Sequence, residues 1–222
     1  MKFFLVLSLV IFSCSKSPSI TIKKEKTPLE KLINGNIRFV KGKSIHPDEN
    51  LARIKSLKKG QNPFAIVVSC SDSRIPPELI FDQGLGDIFT IRTAGNIIGE
   101  YELGSIEYAV EKLHCNLVVV LGHENCGAIQ SFIDSKNHRY HNHIQNILDY
   151  IANENEEKAI KNQLLEHPDR AIHANIKHGV NTLKNSQPVL KNLVEKNKVK
   201  IVGAYYDLDQ GKVSFNHEEC IK

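Results

Sequence analysis

Two short, unbroken apolar runs constrain this chain most: Phe64-Ala65-Ile66-Val67-Val68 and Leu117-Val118-Val119-Val120-Leu121. Neither alternates polar with apolar residues. Each therefore predicts a strand buried on both faces, as in parallel sheets covered by helices. Further strands are predicted at Ile88–Ile91 and Val199–Tyr205. A short antiparallel edge strand is predicted at Lys212–Phe215, entered through the turn Asp209-Gln210-Gly211.

Helical patterns lie between these runs. Thr27-Pro28-Leu29-Glu30 has a capping residue, a proline suited to the first helical position and an acid in the first turn. Leu29, Leu32, Ile33, Ile37 and Val40 then supply an apolar helical face. Asp48–Lys58, Gly104–Leu113, the segment after Cys126, Ile144–Ile151 and Ala171–Val194 read as helices, and Pro76-Pro77-Glu78 can start a short one. Strands alternating with helices predict an α/β fold. The expectation is a single domain with a mainly parallel sheet of about four strands plus an antiparallel edge strand. Helices should cover both faces, and an N-terminal helical arm should precede the sheet. No internal repeat or second domain boundary is visible.

The chain has 222 residues, which suits one domain with a short extension. Lys and Arg outnumber Asp and Glu by 29 to 25. That excess is small and scattered, and no basic face carries interleaved aromatics, so no nucleic-acid partner is expected.

The N-terminus differs in kind. Met1-Lys2 precedes an almost wholly apolar stretch from Phe3 to Phe12, which has the length of a signal-peptide core and is too short to span a bilayer. Ile11-Phe12-Ser13-Cys14 resembles a bacterial lipobox, in which the cysteine is lipid-modified. Phe12 is bulkier than that pattern usually carries, and the alternative is an ordinary signal peptide cut near Ser13 or Ser15. The expected organisation is therefore a signal peptide over residues 1–14, a polar tether over 15–27 and the α/β domain over 28–222. The protein is expected to be exported, periplasmic or held on the membrane through Cys14.

Chemistry-bearing residues cluster where the two defining runs end. Cys70-Ser71-Asp72-Ser73-Arg74 follows the first, and Gly122-His123-Glu124-Asn125-Cys126-Gly127 follows the second. Sites in parallel α/β sheets sit at the carboxyl ends of strands. If the two strands are neighbours, two thiolates, an imidazole and a carboxylate meet, all ligand types that Zn²⁺ takes. Either segment alone is weak evidence, since a lone cysteine after a buried strand is usually a core thiol.

In combination these segments resemble the β-class carbonic anhydrases, plant-type branch. Cys70-Ser71-Asp72-Ser73-Arg74 matches that family's C-x-D-x-R motif, and His123-Glu124-Asn125-Cys126 matches its H-x-x-C motif. The likeness extends through Gly35-Asn36-Ile37-Arg38-Phe39, Pro77–Asp82, Ala94-Gly95-Asn96 and Ile106–Val110. It implies Zn²⁺ bound by Cys70, His123 and Cys126. Asp72 is either a fourth ligand or the partner of Arg74 in a catalytic dyad. It also implies hydration of CO₂ to bicarbonate, with a substrate pocket formed by Gln61, Phe89, Tyr108 and the backbone of Gly127. Arg92 and Ala94 are further candidate wall residues. Gly127-Ala128 departs from the Gly-Gly of many relatives. A homodimer or tetramer is implied, because in that branch the pocket is built across a subunit interface. Two thiolates and an imidazole neutralise Zn²⁺, so activity should rise towards alkaline pH.

Two alternatives stay open. One is a hydrolase of carbonyl sulfide or carbon disulfide using the same site. The other is a non-catalytic, lipid-anchored zinc-binding protein. His138, His141 and His143 form a cluster readable as a proton relay, a second metal site or, preferably, a solvated segment. Cys115 reads as a buried thiol, and the pairing of Cys220 is open.

Overall fold

The structure is a computed structural model that describes residues 27–135, 139–160 and 167–215. The signal segment with Cys14, the tether up to residue 26, His138 and Cys220 lie outside the described residues.

Five strands form one sheet in the order β2-β1-β3-β4-β5. They are β1 (Ala65–Cys70), β2 (Ile88–Thr93), β3 (Leu117–His123), β4 (Lys200–Asp207) and β5 (Lys212–Phe215). The first four run parallel, and β5 pairs antiparallel with β4. Every residue of β1 and β3 is buried, as their unbroken apolar sequence requires. These two strands are direct neighbours, with Ser69 opposite Leu121. The strands run longer than their apolar cores: β1 continues to Cys70 and β3 to His123. Cys70 and His123 are thus the last ladder residues of central strands rather than members of the loops that follow.

Nine helices among the described residues cover both faces: α1 (Pro28–Val40), α2 (Leu51–Leu57), α3 (Pro77–Ile80), α4 (Glu100–Lys112), α5 (Gly127–Asp134), α6 (Ile144–Asn153), α7 (Asn155–Ile160), α8 (Pro168–Asn185) and α9 (Leu190–Glu195). On one face Ile66, Val68, Val118, Val120 and Ile201 pack with Ile106, Ala109 and Val110 of α4 and Leu183 of α8. On the other, Ala65, Val67, Val119, Leu121 and Val202 pack with Leu32 of α1, Ile80 of α3 and Phe81. The alternation of β1 and β3 residues between the two clusters follows from the two-residue repeat of a strand.

α1 opens with the capping box read from the sequence. The Glu30 amide donates to the Thr27 hydroxyl at 3.2 Å, and the Thr27 amide donates to Glu30 at 3.0 Å. Its packing differs from the expected apolar stripe, because Leu32, Gly35 and Asn36 are buried while Ile37 and Val40 remain 44% and 45% exposed. A Cβ on Gly35 would stand 1.7 Å from the Phe81 carbonyl oxygen, so only glycine lets the helix seat there. Beside it the Asn36 amide donates to the Ile80 and Gly211 carbonyls and accepts from the Val213 amide. One buried side chain thus ties α1 to α3 and β5.

Two boundaries shift for identifiable reasons. α4 starts at Glu100 rather than Gly104, because Glu102 accepts from the Gly99 amide at 2.9 Å and caps the earlier turn. The helical pattern over 171–194 divides into α8 and α9 around Pro188, which lacks an amide hydrogen and disfavours a helical residue before it.

Candidate metal centre

β1 and β3 deliver their last residues side by side at the carboxyl edge of the sheet. From there the chain turns sharply after each. After β3, Asn125 adopts φ +51°, in the left-handed region that asparagine tolerates. That turn brings Cys126 back to the edge as the residue preceding α5. One ligating atom each from Cys70, His123 and Cys126 lies within 4.8 Å of the others, and all three residues are buried.

The ring of His123 is oriented by its other nitrogen. Nδ1 lies 2.8 Å from the Glu124 carbonyl oxygen, an acceptor that requires Nδ1 to carry the hydrogen. Nε2 is then a bare lone pair, and it is buried without a hydrogen-bond partner. A buried polar atom left unpaired is costly and rare. Here it faces two sulfurs.

Those sulfurs are in electrostatic conflict. The neighbouring Cys126 thiol, outweighing the opposing effect of burial and helped by the Gly95 amide, draws the Cys70 thiol down to about 4. Cys126 is pushed up by Cys70 and by burial. Two thiols this close share a single proton, since a second negative charge has no compensation. A soft divalent cation would resolve that conflict and satisfy Nε2 at once. Donor set and orphaned nitrogen therefore fit a metal of the zinc type.

Asp72 and Arg74 form a bidentate pair. Arg74 Nε donates to Oδ1 at 3.0 Å and Nη2 to Oδ2 at 2.7 Å, while the Arg74 amide adds a third bond to Oδ1 at 2.9 Å. The guanidinium holds the Asp72 carboxyl down to about 2. Arg74 Nη2 also donates to the Asn125 carbonyl at 3.2 Å, joining the loops that follow β1 and β3. Asp72 Oδ2 stands 4.0 Å from His123 Nε2, so the carboxylate borders the ligand group while turned towards arginine.

The remaining expected site residues fall in three places. Gly127 begins α5 beside Cys126. It is exposed, and a Cβ there would meet nothing within 4 Å. Phe89 and Tyr108 pair with each other, ring centroids 6.4 Å apart, where β2 meets α4; Tyr108 is half exposed. Phe89 pairs with Ile66, four residues before Cys70, which sets it back from the metal-ligand edge. Gln61 is exposed and precedes β1, at the opposite end of the strand from Cys70. Within one chain these three do not join the Cys-His-Cys group.

Arg92 is oriented as a support rather than a wall. Its Nε donates to the Cys70 carbonyl at 3.0 Å and its Nη2 to the Asp72 carbonyl at 2.6 Å. Gly95, at φ +70° in the 3₁₀ turn Ala94–Asn96, donates its amide to Cys70 Sγ at 3.3 Å. A side chain there would also come within 3.0 Å of the Ala128 methyl, the group by which the chain departs from the Gly-Gly pattern. Neither role carries a sequence signal beyond an arginine and a glycine at the end of a predicted strand.

His141 and His143 lie just before α6. The start of α5 and the end of α6 meet at Gly95, through Ala128 and Ile151. α5 runs about 12 Å away from the centre before the chain returns, at 1.5 Å per residue. The histidines preceding α6 are therefore remote from Cys126. Cys115 is buried and donates to the Pro63 carbonyl, and burial raises it to about 11, the state of an inert core thiol.

A mainly parallel sheet bearing a buried Cys-His-Cys group and a clamped carboxylate at its carboxyl edge defines an α/β protein with a group able to bind a metal. The carbonic anhydrase family model matches residues 65–213. A carbonic anhydrase of Mycolicibacterium smegmatis is 50% identical over 104 residues, 47% of this chain and 50% of that one. One from Synechococcus elongatus is 30% identical over 200 residues, 83% of this chain and 70% of that one. The chain spans about half the length of the mycobacterial relatives it matches. Among solved structures, the β-carbonic anhydrase CcaA superposes with a TM-score of 0.63 at 25% identity, covering 84% of this chain and 94% of that one. The chain belongs to the carbonic anhydrase family, β class.

Proposed function

We propose that this protein is a zinc enzyme that reversibly hydrates CO₂ to bicarbonate and a proton. The observation that carries the reading is the unpartnered, buried Nε2 of His123 facing Cys70 and Cys126, with Asp72 clamped beside it. Cys70, His123 and Cys126 would hold Zn²⁺, which supplies a water activated for attack on carbon.

The chain's own residues do the rest. Arg74 keeps Asp72 ionised and turned from the ligand group, so Oδ2 can accept a hydrogen from the attacking water and orient it. The amide of Gly127, in the first turn of α5, offers a donor to a substrate oxygen. Gln61, Phe89 and Tyr108 reach such a centre only from a second subunit, in keeping with a homodimer or tetramer. The exposed apolar residues Ile37, Val40, Leu51, Ile54 and Leu79 on α1, α2 and α3 are the surface such a neighbour would cover.

The test is stopped-flow CO₂ hydration with zinc quantified in the same preparation. The reading predicts one zinc per chain and turnover on CO₂ that exceeds turnover on carbonyl sulfide or carbon disulfide. Stoichiometric zinc with turnover only on the sulfur substrates would move the assignment to the hydrolases. Zinc without turnover on any of them would leave a binding protein.

We also propose, from residues 1–14 alone, that the protein is exported and acylated at Cys14. Mass spectrometry of the mature N-terminus tests this: an unmodified Cys14 still preceded by Ser13 overturns it.

A further inference from the structure

Cys70 sits at the end of a strand, but its sulfur is steadied from a distant part of the chain. The Gly95 amide donates to Sγ at 3.3 Å. That amide belongs to a turn in which Gly95 and Asn96 both have positive φ, +70° and +45°, a conformation that glycine and asparagine tolerate. Thr93 closes the turn, its hydroxyl donating to the Ile97 carbonyl at 2.8 Å. The remaining side-chain anchor comes from α8. Asn96 Nδ2 donates to Asn175 Oδ1 in a short bond between two buried side chains, 4% and 3% exposed. Asn175 Nδ2 in turn points at Glu154 Oε1, 3.5 Å away at the end of α6.

An amide pair buried in the core is a poor use of core volume unless it determines something, since apolar groups of the same shape would do as well. Here it determines the position of one amide hydrogen on one sulfur. We infer that Asn175 is a positioning residue for the metal ligand Cys70, acting through Asn96 and the Gly95 amide. The inference rests on the reading of Cys70, His123 and Cys126 as a metal centre.

The chemical consequence is specific. An amide hydrogen on a thiolate withdraws electron density from sulfur and fixes the direction of its lone pairs. Loss of the anchor lets the turn relax, and the sulfur becomes a stronger electron donor held in a looser geometry. A fold-stabilising role alone would not alter the electronic character of the sulfur.

The experiment uses the full chain loaded with Co²⁺ in place of Zn²⁺, in wild type, Asn175→Ala and Asn96→Gly. Glycine at 96 accepts the positive φ, so that variant removes the side-chain bond without straining the turn. The sulfur-to-cobalt charge-transfer band is expected at lower energy in both variants, by a similar amount. Extraction of the metal by a chelator is expected to be about tenfold faster, the lower end of what lost supporting bonds cost a metal site. The double variant should match either single one, because both break the same link. If Asn175→Ala fails to fold, Asn96→Gly carries the test. A normal wild-type band that keeps its energy in the folded variants overturns this inference alone. A wild-type protein with no such band overturns the metal centre and this inference with it.

Discussion

Arg74 grips both carboxylate oxygens of Asp72, at 3.0 and 2.7 Å, and so holds Oδ2 at 4.0 Å from the bare nitrogen of His123. The carboxylate can serve arginine or a metal, but one geometry does not satisfy both. Arg74→Ala frees it to turn inward. That variant is expected to keep its zinc and lose at least about 100-fold in kcat, the scale of a misplaced catalytic group. Stopped-flow hydration with metal analysis checks both halves of the expectation.

The ligands respond differently. Cys70→Ala and His123→Ala each leave two donors on a group that needs three, so both should purify with substoichiometric zinc. The apoprotein should still fold, because β1 and β3 are held by aliphatic packing on both faces. Metal content by atomic absorption, alongside far-UV circular dichroism, separates loss of metal from loss of fold.

Gln61 precedes β1, whose start at Ala65 already lies a strand length from Cys70, roughly 17 Å at 3.3 Å per residue. If a neighbouring subunit supplies it, two inactive variants should complement. Gln61→Ala and Cys70→Ala, unfolded together and refolded at equal ratio, should regain about a quarter of wild-type activity. Half the dimers are then mixed, and each has one complete site. Activity that stays at the level of the separate variants would rule out sharing.

α7 carries a pH-dependent weakness. Burial, aided by Glu156, pushes the Glu157 carboxyl up to about 8, and neither of its oxygens has a hydrogen-bond partner. Burial, with Glu157 and Glu156 adding to it, pushes Glu154 up to about 9. A raised carboxyl keeps its proton in the native state after the unfolded chain has lost it. Native protein therefore binds more protons between the ordinary value of 4.5 and these raised values, and stability falls as pH rises through that window. Glu157→Gln should flatten the fall. The melting temperature should rise by several degrees at pH 8 and stay unchanged near pH 4.5, as read by calorimetry across the range.

Asn36 is the polar bolt of α1. Asn36→Leu would strand the Val213 amide and two carbonyls in the core and is expected to cost about 2–4 kcal/mol. Urea unfolding measures this directly.

Much of this molecule is written in local patterns. Short apolar runs rich in β-branched residues suit strands buried on both faces, and Thr27, Pro28 and Glu30 mark a helix start by chemistry confined to one turn. Two motifs placed after two such strands already pointed to one metal centre, because parallel neighbours share a carboxyl edge. Other features depended on contacts between residues far apart in the chain. The apolar stripe of α1 proved half exposed at Ile37 and Val40 because Gly35 and Asn36, beside Leu32, meet the body of the fold. Arg92 turned to backbone carbonyls, and Gly95 reached a sulfur 25 residues away. Periodicity reports which side of an element is apolar, since that depends on spacing within the element. It carries no record of what lies opposite, so the orientation of a hydrogen-bonding group was decided only when the sheet, α8 and the turn at Ala94–Asn96 came together in space.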